Sequence, residues 1–162
     1  MDKNELFNLN DKTAIITGGA NGIGKACCEI LADFGANVVV SDYNYEAAKI
    51  TASKIGENAF AIKCDNTKDE DLVNLVNETI NKFGSIEILI NNVGGGGAGK
   101  ESPYDIEVSQ FKKVFELNVF STWRLCQLVA PHMNNSGYGS IINMSSMASI
   151  NKSPAISAYA SS

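Results

Sequence analysis

Thr17-Gly18-Gly19-Ala20-Asn21-Gly22-Ile23-Gly24 is the stretch on which the fold turns. It follows the apolar run Thr13–Thr17 (TAIIT) and leads into Ile23, Ala26, Cys27, Ile30, Leu31 and Phe34, a stripe at helical spacing. Strand, glycine turn, helix is the setting in which free backbone N–H groups at a helix N-terminus hold a nucleotide pyrophosphate. Gly18 would allow the tight turn, Gly22 the close approach of the anion, and Gly24 the packing of helix on sheet. The loop's Gly-x-x-x-Gly-x-Gly spacing differs from the commoner Gly-x-Gly-x-x-Gly fingerprint. Outside this setting such a loop is merely a structural turn.

Four more β-rich runs follow, at residues 37–41 (NVVVS), 59–64 (AFAIKC), 86–91 (IEILIN) and 140–144 (SIINM). The runs at 13–17, 37–41 and 86–91 are nearly continuous in apolar residues, as strands covered on both faces must be. Gly35 ends the first helix. Thr67 with Glu70 reads as a capping box ahead of Leu72, Val76 and Ile80, and Gly84 stops that helix. Residues 105–133 carry two apolar stripes. One is Phe111, Val114, Leu125 and Leu128; the other is Phe115, Val119, Trp123, Cys126 and Ala130. A helix apolar on two sides is covered twice, by its own sheet and by a partner subunit or a later helix. Alternating strands and helices imply right-handed crossovers and a Rossmann-type, doubly wound parallel α/β sheet of about five strands, a single domain over residues 1–162.

Composition narrows the partners. A net charge of -5 without a basic stripe argues against nucleic acid and anionic membranes. The polar start, Met1-Asp2-Lys3-Asn4-Glu5, does not look like a secretory signal, and no run is long and apolar enough to span a bilayer, so the cytoplasm is expected. Cys27, Cys28, Cys64 and Cys126 lack metal-ligand spacing and read as small core hydrophobes of a reducing compartment; no metal is expected. The single histidine, His132, stands beside Pro131 near a helix end, where a surface or capping role is the plainer reading.

Candidate functional residues collect at strand ends. Asp42 closes the second strand, where a carboxylate can accept hydrogen bonds from both adenosine ribose hydroxyls and repel a 2′-phosphate. Ala20 and Asn21 offer no positive charge to such a phosphate, so the pair of observations favours NAD. The plain alternative is a solvated strand-end aspartate. Asp65, with Asn66 beside it, ends the third strand and could meet the adenine amino group or cap the next helix. Asn91-Asn92-Val93-Gly94 ends the fourth strand and is by itself a turn. Asn118 lies mid-helix among apolar neighbours, so its amide either braces a backbone irregularity or serves a site. Ser145 and Ser146 follow the fifth strand, and Tyr159 comes thirteen residues after Ser146.

Taken together, the glycine loop, Asp42, Asp65, Asn91-Asn92-x-Gly94, Asn118, Ser146 and Tyr159-Ala160-Ser161-Ser162 resemble the short-chain dehydrogenase/reductase pattern in order and spacing. The resemblance covers essentially the whole chain. A narrower likeness, to the bacterial 7α-hydroxysteroid dehydrogenases, is carried by Val38-Val39-Val40-Ser41-Asp42, Asn91-Asn92-Val93-Gly94-Gly95-Gly96-Gly97, Glu116-Leu117-Asn118-Val119-Phe120-Ser121 and Gln127-Leu128-Val129-Ala130-Pro131. Val93 departs from the alanine usual in the family and is expected to press on the cofactor ribose.

The resemblance implies an NAD-dependent oxidoreductase that interconverts a secondary alcohol and a ketone, a hydroxysteroid such as a 7α-hydroxy bile acid. A 3-oxoacyl or sugar reductase, or a non-catalytic dinucleotide-binding protein, is the alternative. Tyr159 would be the general base, Ser146 would hold the reacting oxygen, and Asn118 would support a proton path through water. Gly18, Asn21, Gly22, Ile23, Gly24, Asp42, Asp65, Asn66, Asn92, Gly94 and Tyr159 would contact the cofactor. A homodimer or homotetramer is implied. A free tyrosine ionises at about pH 10, and the family lowers this with a lysine one helical turn later, which here falls past Ser162. The chain is therefore expected to be truncated before the end of the family fold, with later strands missing, its fifth strand exposed, and no turnover by these residues alone.

Overall fold

The computed structural model describes residues 7–96, 104–150 and 157–162. The start at Met1 to Glu5 and Gly97, both read above, lie outside the described residues. At the centre is β1 (Thr13–Thr17), buried at every position because it is flanked by strands and covered on both faces. It pairs in parallel with β2 (Asn37–Asp42) and β4 (Ile88–Asn91). Outside these, β3 (Ala59–Lys63) pairs with β2 and β5 (Ser140–Asn143) with β4, also in parallel. The five-stranded order is β3-β2-β1-β4-β5, the expected doubly wound sheet. Strand bounds shift slightly: β2 runs on to include Asp42, and β4 starts at Ile88.

Alternation along the strands divides the core into two layers. Ala14, Ile16, Val38, Val40, Ile88 and Ile90 face α1 (Gly22–Asp33) and α2 (Tyr45–Ile55), meeting Cys28, Ala48 and Ala52. Ile15, Val39 and Leu89 point the other way, against Leu72, Leu75 and Val76 of α3 (Asp69–Phe83) and Leu125, Val129 and Met133 of the helix before β5. Cutting back a fully buried leucine such as Leu75 or Leu125 would cost about 2–5 kcal/mol.

Two helix ends form as expected. Gly35 takes φ +96 and its N–H donates to the Ala32 carbonyl at 2.9 Å, and Gly84 closes α3 in the left-handed conformation. The capping box does not form. The Thr67 hydroxyl donates to Asp65 Oδ1 at 2.7 Å, and the Thr67 N–H donates to the same oxygen. A carboxylate is the stronger acceptor, so Thr67 turns back to it and leaves the helix start to Asp69, Glu70 and Asp71, whose charges suit the dipole.

The long helix expected over residues 105–133 is interrupted. α4 (Val108–Phe115) passes through a π-helical turn at Glu116–Phe120 into α5 (Ser121–Ser136). Val114, Leu125, Val129 and Met133 are buried, whereas Trp123 of the second stripe is 66% exposed, so that stripe is only partly covered by the described residues. At the sheet edge, Ile141 and Ile142 of β5 are likewise exposed. His132 is half-buried within α5. All four cysteines are free; burial pushes the Cys28 and Cys64 thiols up to about 12. Among the described residues, no helix is long and apolar enough to cross a membrane, and no cluster of metal-ligating side chains occurs.

Candidate active site and nucleotide cleft

The carboxyl ends of β1 and β4 lie side by side, and their following loops diverge, α1 covering one face of the sheet and α4–α5 the other. This is the switch point at which open α/β sheets bind ligands. Two clefts meet there. One, of about 410 Å³, is lined by Gly18, Asp42, Asp65, Asn66, Asn92, Val93 and Gly94, among others. The other, of about 590 Å³, contains Ile23, Asn118, Trp123, Cys126, Ser146 and Tyr159. Asn92, Val93 and Gly94 line both, so the turn after β4 is the partition between them.

The glycine loop is held by that turn. Asn92 Nδ2 donates to the carbonyls of Thr17 and Gly18 at 3.0 and 3.4 Å. The N–H groups of Asn92 and Val93 donate to Thr17 Oγ1 at 3.0 and 3.1 Å. Thr17 thus joins the ends of β1 and β4, a role its place in an apolar strand did not signal. Gly18 and Gly22 have φ of +65 and +55, which L side chains rarely adopt. A methyl group on Gly22 would meet nothing, so the space beside it is open to an incoming anion. On Gly24 it would overlap the Gly18 carbonyl and lie 2.6 Å from Asn92 Nδ2. Gly24 therefore serves the fit of helix against loop, closer in than the sheet contact expected of it. Val93 packs toward Gly18, its Cγ2 lying 3.2 Å from where a Gly18 side chain would begin.

Asp42 is not a solvated strand end. It is 7% exposed, and its two oxygens accept the N–H groups of Ala20 (3.1 Å) and Asn44 (2.9 Å). A carboxylate has about four acceptor positions, so two remain toward the cleft. Asp65 is held below the usual carboxylate range, chiefly by the Thr67 hydroxyl and then by the Thr67 N–H. Asn66 is buried at the cleft wall. An adenosine-ribose-pyrophosphate fits this donor and acceptor set: an open helix N-terminus for the anion and a fixed carboxylate for the ribose diol.

Asn118 both braces and lines. It sits in the π turn, where Oδ1 accepts the Gly95 N–H at 2.9 Å and Nδ2 donates to the Gly95 carbonyl and to Ser162 Oγ at 3.2 and 2.7 Å. The extra residue of the turn brings this amide out of the helix wall to the loop after β4. Ser146 opens a 3-10 turn, Met147–Ser149, and its Oγ accepts the Ala148 N–H at 3.2 Å, which leaves its own proton to donate. Tyr159 stands in α6 (Ser157–Ser161) on the wall of the same cleft. Of the residues named for the site, Gly18, Ile23, Asp42, Asp65, Asn66, Asn92, Gly94, Asn118, Ser146 and Tyr159 line one of the two clefts, whereas Asn21 precedes α1 and Gly22 and Gly24 lie in its first turn. Asn143 and Cys126 had not been anticipated; both approach Asn91 Nδ2, at 2.9 and 3.6 Å, and line the larger cleft.

The family model described as short chain dehydrogenase matches residues 12–162. The chain is 44% identical to the 7α-hydroxysteroid dehydrogenase of Escherichia coli (strain K12), covering all of this chain and 64% of the relative. It is 34% identical to an NAD-dependent glycerol dehydrogenase of Listeria innocua, over 89% of this chain and 56% of that one. A solved structure of a 7α-hydroxysteroid dehydrogenase with NADH and 7-oxo glycochenodeoxycholic acid superposes with a TM-score of 0.92 at 43% identity, covering 99% of this chain and 63% of that one. The chain thus spans just under two thirds of the length of these hydroxysteroid dehydrogenases.

Proposed function

The chain belongs to the short-chain dehydrogenase family, and on that premise we propose that the whole protein is an NAD-dependent oxidoreductase acting on a 7α-hydroxysteroid of the bile-acid type. Residues 1–162 are read as its nucleotide-binding domain. The observation that carries the reading is the shared partition: Asn92, Val93 and Gly94 line both the cleft with Asp42 and the cleft with Ser146 and Tyr159. A nucleotide held in the first cleft would thereby lie beside Ser146 and Tyr159 of the second. Similarity to a hydroxysteroid dehydrogenase over the full chain supports the substrate class.

Bound NAD would supply the hydride acceptor for alcohol oxidation, and NADH the donor for the reverse. Gly18, Asn21, Gly22, Ile23 and Gly24 would present backbone to the pyrophosphate, Asp42 would accept from the ribose diol, and Asp65 with Asn66 would face the base. Asp42 would also repel a 2′-phosphate. Ser146 would donate its hydroxyl proton to the substrate oxygen and hold it in place, and Tyr159 would take the alcohol proton at its phenol oxygen. Asn118 would keep the loop after β4 in register and support a proton path through water. Orientation of this kind can supply a large part of a rate enhancement.

The test is a steady-state assay of the whole protein with NAD and cholate-type bile acids, against acetoacetyl thioesters and glucose with the matching cofactor form. Preference for the 7α-hydroxy bile acid supports the reading. Preference for a thioester or sugar replaces it with the corresponding reductase, and NAD binding without turnover of any of them would indicate a non-catalytic protein.

A further inference from the structure

We infer that Thr51 of α2 is a positioning residue for nucleotide recognition, acting through Ala20 on Asp42; the inference rests on the NAD reading above. Ala20 is only 3% exposed, and both its backbone groups are engaged by buried side chains. Its N–H donates to Asp42 Oδ2 at 3.1 Å, and its carbonyl accepts from Thr51 Oγ1 at 3.1 Å. Thr51 is 2% exposed, so its hydroxyl has no water to turn to.

A buried threonine within a helix ordinarily returns its hydroxyl proton to the carbonyl four residues back. Thr79 does so in α3, donating to Leu75 at 2.7 Å. Thr51 instead reaches out of α2 to the glycine loop. The same helix is tied to Asp42 at its start, where the Asn44 N–H donates to Asp42 Oδ1 at 2.9 Å and Asn44 Oδ1 caps Ala47 at 3.2 Å. The contacts close a ring: Asp42, Ala20, Thr51, the body of α2, Asn44 and back to Asp42. One carboxylate oxygen is held by the loop and the other by the helix, and Thr51 fixes loop to helix.

The peptide plane extends the effect to the neighbouring donor. In a trans peptide the Ala20 carbonyl and the Asn21 N–H point in opposite directions. With the carbonyl turned toward α2 by Thr51, the Asn21 N–H is turned away from that helix, at the N-terminus of α1. One buried hydroxyl thus orients both the carboxylate for the ribose and a backbone donor of the loop.

The experiment measures NAD dissociation by calorimetric titration of the whole protein, beside kcat and the KM for NAD and for alcohol, in wild type, Thr51→Val and Thr51→Ser. Thr51→Val is expected to weaken NAD binding about three- to tenfold, the loss of one buried hydrogen bond. The KM for NAD should rise in parallel, with kcat and the alcohol KM held within about twofold. Thr51→Ser, which keeps the hydroxyl, should restore wild-type binding. Thr51→Ala supplies the same comparison should the valine variant not fold. Unchanged NAD binding in folded Thr51→Val, or equal losses in kcat and both KM values, or no restoration by serine, would overturn the inference alone. Absence of NAD binding by wild type would overturn the functional reading and the inference with it.

Discussion

Gly24→Ala is the sharpest perturbation of the loop. Gly24 has no positive φ and lies in the first turn of α1, where alanine would ordinarily stabilise a helix by about 1 kcal/mol. Here the added methyl would overlap the Gly18 carbonyl and lie 2.6 Å from Asn92 Nδ2. Making room retracts the Asn92 amide from the carbonyls of Thr17 and Gly18, now at 3.0 and 3.4 Å, and moves the Gly18–Gly19 peptide. Overpacking of this kind costs about 1–3 kcal/mol, and loss of the better Asn92 hydrogen bond adds about 1 kcal/mol. Set against the helix gain, the net loss is about 1–3 kcal/mol. Urea unfolding followed by circular dichroism measures it, and NAD titration should show weakened binding because the loop donors have moved. Gly137→Ala is the control. Its site is open and its cost is the positive φ of +70 alone, about 1–2 kcal/mol, with NAD binding unchanged. A Gly24→Ala protein as stable as wild type, with wild-type NAD affinity, would refute the reasoning.

Asp42→Ala removes the acceptor of the Ala20 and Asn44 N–H groups, so it should cost about 2–3 kcal/mol of stability and narrow the NAD over NADP preference at least about tenfold; the ratio of kcat/KM for the two cofactors is the readout. Tyr159→Phe should lower kcat by about a hundredfold or more while leaving NAD affinity near wild type, measured by initial rates and titration. The raised thiol values of Cys28 and Cys64 favour the neutral form in the folded state. Their contribution to stability is therefore complete below the ordinary value of 9.0 and is lost as pH climbs from there toward about 12, which urea unfolding at stepped alkaline pH will register.

The sheet was legible because its strands carry their burial openly: TAIIT, NVVV and ILIN are apolar without alternation, which only a doubly covered strand tolerates. α2 was not legible. Its buried face is Ala48, Thr51 and Ala52, too small and too polar to raise an apolar stripe. Thr67 misled because its sequence offset fits a capping box, while the decisive partner, the Asp65 carboxylate, lies two residues back, outside that motif. Asn118 was read correctly as an amide in need of partners, yet its bonds to Gly95 and Ser162 belong to tertiary structure, as does the π turn that presents it. The same holds for Thr17, whose hydroxyl accepts from a loop 75 residues away.

The most direct test of the account is the rate of NAD reduction by the whole protein with a 7α-hydroxy bile acid, compared with the analogue lacking only the 7α-hydroxyl. The account predicts reduced nicotinamide and the 7-oxo product from the first, and none from the second. Equal rates with both, or none with either under conditions where NAD binds, would contradict it.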